Sequence, residues 1–167
     1  MALREIRMYG DEILTKVCRP VKEMTPRIRE LLDDMLETMY AANGVGLAGP
    51  QVGVLRRVVV IDIGEGPLVM VNPEIIETSG TQTGEEGCLS LPGKSGVVTR
   101  PSHVKARYLN ADMELMEVEG EGLLARAICH ECDHLDGHMY VEKVEGGIHD
   151  VDAAGDEEDE EEEYEEE

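Results

Sequence analysis

His130-Glu131-Cys132-Asp133-His134 has the form H-E-x-x-H. On a helix, the four-residue spacing puts both imidazoles on one face, one turn apart, where together they can hold one metal ion. Glu131 projects beside that ion without serving as a ligand, so its carboxylate can take a proton from activated water and later return it to a leaving group. A working centre needs a third ligand. Without one, the pentapeptide reads as a polar helix surface that happens to carry two His and a Glu.

Several residues compete for that third position. One group of zinc proteases extends the motif to H-E-x-x-H-x-x-G-x-x-H, and this chain follows it as far as Gly137 but has Tyr140 at the last position. His138 comes two positions too early, just after the helix stop, and reads as a solvent-facing residue. Upstream, Glu86-Gly87-Cys88-Leu89-Ser90 places a thiol beside a glycine that allows close backbone approach, so Cys88 can complete a Cys-His-His set. A solitary Cys is otherwise a small buried hydrophobe. Gly44-Val45-Gly46-Leu47-Ala48-Gly49-Pro50-Gln51 joins a glycine-rich turn to an amide side chain and, alone, reads as an ordinary loop. Cys129 and Cys132 form a C-x-x-C, which leaves dithiol redox chemistry open as an alternative.

These groups need a scaffold. Thr25 is a candidate N-cap and Pro26 suits the first turn of a helix in which Ile28, Leu31, Leu32, Met35, Leu36, Met39 and Tyr40 follow the helical period until Asn43-Gly44. Short strands are expected at Arg57–Ile63, Leu68–Val71, Glu74–Thr78, Val97–Thr99, Val104–Leu109 and Met113–Val118, punctuated by Gly and Pro. A second helix is expected over Glu121–Asp136, with Leu123, Leu124, Ala127, Ile128 and Leu135 available for burial and Gly137 as its stop. Helix, strands and helix imply an α+β fold. With no Trp or Phe, the core falls to Leu, Ile, Val and nine Met.

The chain has 167 residues, the size of one domain, with 15 Lys and Arg against 37 Asp and Glu, a net charge of -22. Electrostatic binding to nucleic acid or an anionic membrane is disfavoured. Residues 150–167 hold 13 of the acids and no Lys or Arg, leaving a body of net charge -9. We therefore expect a catalytic domain over residues 1–147 and an acidic, disordered tail over 148–167 that solvates the protein or contacts basic partners. The opening residues carry charge, and no run is long enough to span a bilayer, so a cytoplasmic setting with reduced thiols is expected.

Gly44–Gln51, Glu86–Ser90 and Cys129–His134, in this order, resemble the three signature segments of peptide deformylase. The resemblance runs from the opening Met1–Leu14 to about Val144 and includes Leu91-Pro92-Gly93 and Arg100-Pro101. It implies short antiparallel or mixed β-sheets packed around a central C-terminal helix that carries the H-E-x-x-H, with a further helix near the N-terminus. It also implies a metal held by Cys88, His130 and His134, with Glu131 as proton shuttle, and hydrolysis of the formyl amide of N-formylmethionyl nascent peptides to release formate. By the same resemblance, the Gln51 amide and the Leu89 backbone NH face the developing oxyanion, and Glu86 pairs with Arg100 to brace the Cys88 loop.

Gly46 and Gly87 are places where an extended peptide can approach the backbone, or simple turn glycines. Val45, Leu123 and Ala127 are candidates for the wall of a methionine slot, or core residues. Cys129 stands where the family has Gln and Gly49 where it commonly has Ala, which bears on the hydrogen bonding near His130. Two imidazoles and a thiolate suit Fe(II), Zn(II), Co(II) or Ni(II), and the resemblance favours Fe(II). The expected partners are formylmethionyl nascent chains, with transient proximity to the ribosome, no direct nucleic-acid or membrane binding, and a monomeric state. Two other functions fit the motif: an H-E-x-x-H metalloprotease, and a noncatalytic metal-binding or interaction module.

Overall fold

The Thr25 hydroxyl accepts a hydrogen bond from the Ile28 NH at 3.1 Å, and Pro26 opens the helix that this cap starts, α1 (Pro26–Ala41). In this computed structural model, which describes residues 2–151, eight strands and a second helix complete the fold. The strands are β1 (Gly46–Ala48), β2 (Val58–Ile61), β3 (Leu68–Ser79), β4 (Gln82–Cys88), β5 (Leu91–Arg100), β6 (His103–Leu109), β7 (Leu115–Glu121) and β8 (Glu145–Asp150). Between β7 and β8 lies α2 (Leu123–Leu135), which carries the H-E-x-x-H residues.

One sheet has the order β1-β2-β3-β6-β7 and the other β4-β5-β8. Every ladder is antiparallel, and the single parallel contact among the described residues is an isolated bridge between Arg19 and Arg56. The fold is therefore α+β, as expected, with antiparallel rather than mixed sheets.

The apolar run Val58-Val59-Val60-Ile61 shows why the two helices take opposite faces of the larger sheet. Side chains alternate along a strand, so Val58 and Val60 join Leu31, Leu32, Met35 and Met39 of α1 in one core. Val59 and Ile61 join Ala125, Ile128 and Leu135 of α2 in the other. Burying each of these larger side chains contributes about 1.5–3 kcal/mol. With both faces covered, the strand reads as a continuous hydrophobic run rather than an alternating one. At the far end of α2, Gly137 sits at φ +84°, and a Cβ there would lie 2.6 Å from the Thr15 carbonyl oxygen, so the helix stop requires glycine.

Some boundaries differ from expectation. Leu68–Val71 and Glu74–Thr78 are one strand, β3, shifted in register against β6 between Val71 and Glu74, where Asn72 takes φ 52° and its amide clasps the backbone of Val21, and again between Ile75 and Glu77. Residues 82–88 form β4 despite their glycines and glutamates, because β5 supplies the ladder. The boundary expected at residue 147 falls inside β8, which pairs Lys94 with Asp150 and Ser95 with His149. Residues 152–167, most of the expected tail, lie outside the described residues. Among the described residues, no helix is long and apolar enough to cross a membrane.

Candidate metal centre

On α2, Arg126, His130 and His134 are spaced four apart and so share one face over successive turns. The end of β4 brings Cys88 to that face. Ligand atoms of Cys88, His130 and His134 all lie within 4.8 Å of one another, and Cys88 Sγ is 3.3 Å from His134 Nε2. Two donors at about 2.0–2.3 Å from one ion are separated by roughly this distance. His138, the competing donor, is exposed and bonds Glu142 at 3.0 Å. Tyr140 is buried near His130, with ring centroids 5.9 Å apart.

A single carboxylate orients the first imidazole. Glu86 Oε2 lies 2.5 Å from His130 Nδ1, which leaves Nε2 facing Cys88 and His134. Arg100 grips both oxygens of Glu86, at 3.1 and 2.6 Å, and Arg126 adds a bond of 2.8 Å. Arg100 also reaches Asp133 at 2.7 Å, tying β5 to α2. Burial opposes ionisation of Glu86, but the hydrogen bonds from His130 and Arg100 prevail and hold its carboxyl at about 2. The Glu86–Arg100 pair is thus the expected one, enlarged by Arg126 and Asp133, which the sequence reading missed. The spacing of Arg126 four residues before His130 was the available signal.

Glu131 is as buried as Glu86 but lacks its partners. It is 4% exposed, and its Oε1 is buried without a hydrogen-bond partner. Burial raises its carboxyl to about 7. Its other oxygen lies 4.0 Å from His130 Nε2, and a Cβ on Gly46 would sit 2.5 Å from it. Gly46 is therefore a site of close approach, but to Glu131. Burial pushes the His134 imidazole down to about 3 and keeps it neutral, the form in which imidazole binds metal. The donor set of one thiol and two imidazoles, together with the unpartnered carboxylate oxygen beside it, fits a divalent metal ion.

Gln51 lies in the short 3-10 turn after β1, where Oε1 accepts from the Ala48 NH at 3.0 Å. Its amide nitrogen donates to Ser90 Oγ at 3.0 Å and sits 3.5 Å from Cys88 Sγ. Leu89 occupies the turn between β4 and β5. A groove of about 450 Å³ opens over Cys88, His130 and Glu131, lined among others by Val45, Gly46, Gly87, Leu89, Leu123 and Ala127. Val45 and Leu123 are exposed rather than core, whereas Ala127 belongs to both the wall and the α2 core. Among the described residues β1 pairs only with β2 and β4 only with β5, so within them the groove is bordered by two free strand edges.

Cys129 and Cys132 point to packing rather than redox chemistry. Cys129 is buried in the core with Ile128 and Leu135, and Cys132 packs against it. Burial pushes their thiols up to about 11 and about 12, the reverse of what a reactive dithiol needs.

Residues 3–147 match the model of the family described as polypeptide deformylase. A peptide deformylase of Agathobacter rectalis is 71% identical over 151 residues, covering 90% of this chain and 96% of its own length. One from Lachnoclostridium phytofermentans is 60% identical over 163 residues, covering 96% and 100%. Among solved structures, peptide deformylase from Thermotoga maritima aligns with a TM-score of 0.84 at 40% identity, over 86% of this chain and 98% of the other. The Ehrlichia chaffeensis enzyme in complex with actinonin aligns at 0.85 and 34% identity, over 87% and 91%. The family is metal-dependent and removes N-terminal formyl groups, and by its match from residue 3 to residue 147 this chain belongs to the polypeptide deformylases.

Proposed function

We propose that the deformylation of N-formylmethionyl peptides is carried out here by Cys88, His130 and His134 as ligands of one divalent metal and by Glu131 as the proton carrier. The observation that carries this reading is the unpartnered, buried Oε1 of Glu131 beside the three donors, of which Cys88 and His130 line an open groove together with Glu131 itself. When bound, the ion supplies Lewis acidity that activates water and polarises the formyl carbonyl. Glu131 accepts a proton as water attacks the formyl carbon, then delivers it to the amide nitrogen as the C–N bond breaks, leaving formate and a free amine.

The Gln51 amide carries two N–H bonds. Ser90 Oγ accepts from one at 3.0 Å and Cys88 Sγ from the other at 3.5 Å; the one beside Cys88 turns, with the Leu89 NH, to the developing oxyanion. The peptide lies extended between the free edges of β1 and β4, near Gly46 and Gly87, with its methionine side chain against Val45, Leu123 and Ala127. Glu86 and Arg100 act through His130 and the Cys88 loop rather than on substrate.

The native metal is Fe(II), with Zn(II), Co(II) and Ni(II) able to occupy the same donors. The enzyme works in the cytoplasm as a monomer on nascent chains close to the ribosome. Purified protein given formyl-Met-Ala-Ser releases formate, and an N-acetylated peptide is not cut internally. Absence of formate with metal in place rejects the reading, and internal cleavage identifies a protease. Anaerobic preparation with metal analysis tests iron: full activity in an air-exposed, zinc-only preparation rejects it.

A further inference from the structure

Far from a uniform acidic shell, the described surface gathers four of its six unpaired cations in one place. Arg19, Pro20, Val21, Lys22, Arg27, Ile28, Val54 and Arg56 line, with Arg4, a cleft of about 840 Å³ beside α1. Most cations of the chain are matched: Arg7, Arg29, Arg57, Lys94, Arg100, Lys105, Arg107 and Arg126 each meet a carboxylate, and Arg4 of the cleft meets Asp34. Among the described residues, Arg19, Lys22, Arg27 and Arg56 have no ion-pair partner, and neither do Lys16 and Lys143 outside the cleft. Glu23 and Glu30 also line the cleft without forming an ion pair in that set. Val21, Ile28, Leu31 and Val54 give the cleft an apolar floor beneath the cationic rim.

We propose that this cleft binds the acidic run of the chain itself, within residues 152–167. Those 16 residues hold 12 Asp and Glu and no Lys or Arg, with Tyr164 as the one aromatic among them. Carboxylates match the rim, and a tyrosine ring matches the floor and the guanidinium groups around it. Extended, 16 residues reach at most about 55 Å, against a radius of gyration of about 15 Å for a fold of this size. Tethering makes the encounter intramolecular, at an effective concentration on the order of millimolar. A carboxylate-rich segment is favoured over a phosphate backbone, because the other charges of the chain repel polyanions brought from outside.

Carbodiimide coupling of the full chain, mapped by mass spectrometry, tests this, because it joins amines only to carboxylates already in contact. Lys16, Lys22 and Lys143 are the matched amines, and Lys143 is the closest of them in sequence to the acidic run. Docking predicts coupling to the acidic run at Lys22 about tenfold above that at Lys16 or Lys143, falling to parity near 1 M salt, where the screening length is about 3 Å. A full-length variant with Asn and Gln at the twelve acidic positions frees Lys22 for acetylation while its neighbours are unchanged. Equal coupling at the three lysines, or unchanged Lys22 acetylation in that variant, overturns the proposal. Protection of Lys22 that appears only on adding an RNA oligonucleotide also overturns it, because the cleft then takes phosphates. Turnover of formyl-Met-Ala-Ser is not involved in any of these outcomes.

Discussion

Two regions of this molecule are built from ion pairs, and they do different work. On β6 and β7, Arg107 and Lys105 face Glu117 and Glu119, and His103 faces Glu119, at 3.2–3.9 Å on an exposed sheet face. Beneath the candidate metal centre, Arg100 and Arg126 are nearly excluded from solvent and converge on Glu86, which holds one imidazole. Exposed pairs are screened and cost side-chain entropy to hold, so they contribute little. Buried charges cannot be left unmatched, and the partners that satisfy Glu86 also fix the direction in which His130 presents its free nitrogen. The same residue types are surface dressing in one place and a positioning frame in the other.

The sharpest way to probe the buried region is the one carboxylate left out of its frame. Glu131→Gln keeps the shape and the metal but removes the proposed proton carrier, and kcat is expected to fall about 1,000-fold. Metal content measured on the same preparation stays at the wild-type level. Glu86→Gln breaks the frame itself: stability drops by roughly 3–5 kcal/mol in thermal or denaturant unfolding because Arg126 loses its charge partner and Arg100 keeps only Asp133. Metal affinity falls about 10- to 100-fold as His130 loses its orienting contact.

Gln51→Leu removes an amide donor beside Cys88 and lowers kcat about 100-fold, read with metal loading controlled. On the exposed ladder, Arg107→Ala or Glu117→Ala changes stability by only about 0.2–1 kcal/mol and leaves formate release intact. A loss at Glu117 as large as that at Glu86 would abolish the distinction between the two regions.

Much of this contrast was legible before any coordinates. The cap at Thr25 and Pro26, the period of α1, the H-E-x-x-H helix and its stop at Gly137 are local signals, and local signals survive folding. The Glu86–Arg100 pair was legible only through family resemblance, since 14 residues separate its members and nothing in their spacing predicts contact. β4 and β8 were missed because a Gly- and Glu-rich stretch has low strand propensity of its own and is held by its neighbour β5. Val45 and Leu123 could not be sorted into core or groove, because apolar residues serve both and only the closed fold shows which face they take.

The two unpaired edges along the groove have a cost outside catalysis. An open row of backbone donors and acceptors is a template for any extended chain, whether a formylated substrate or a partly unfolded copy of the protein itself. At high concentration such edges invite edge-to-edge aggregation, and a peptide bound along them would act as a chaperone for the protein.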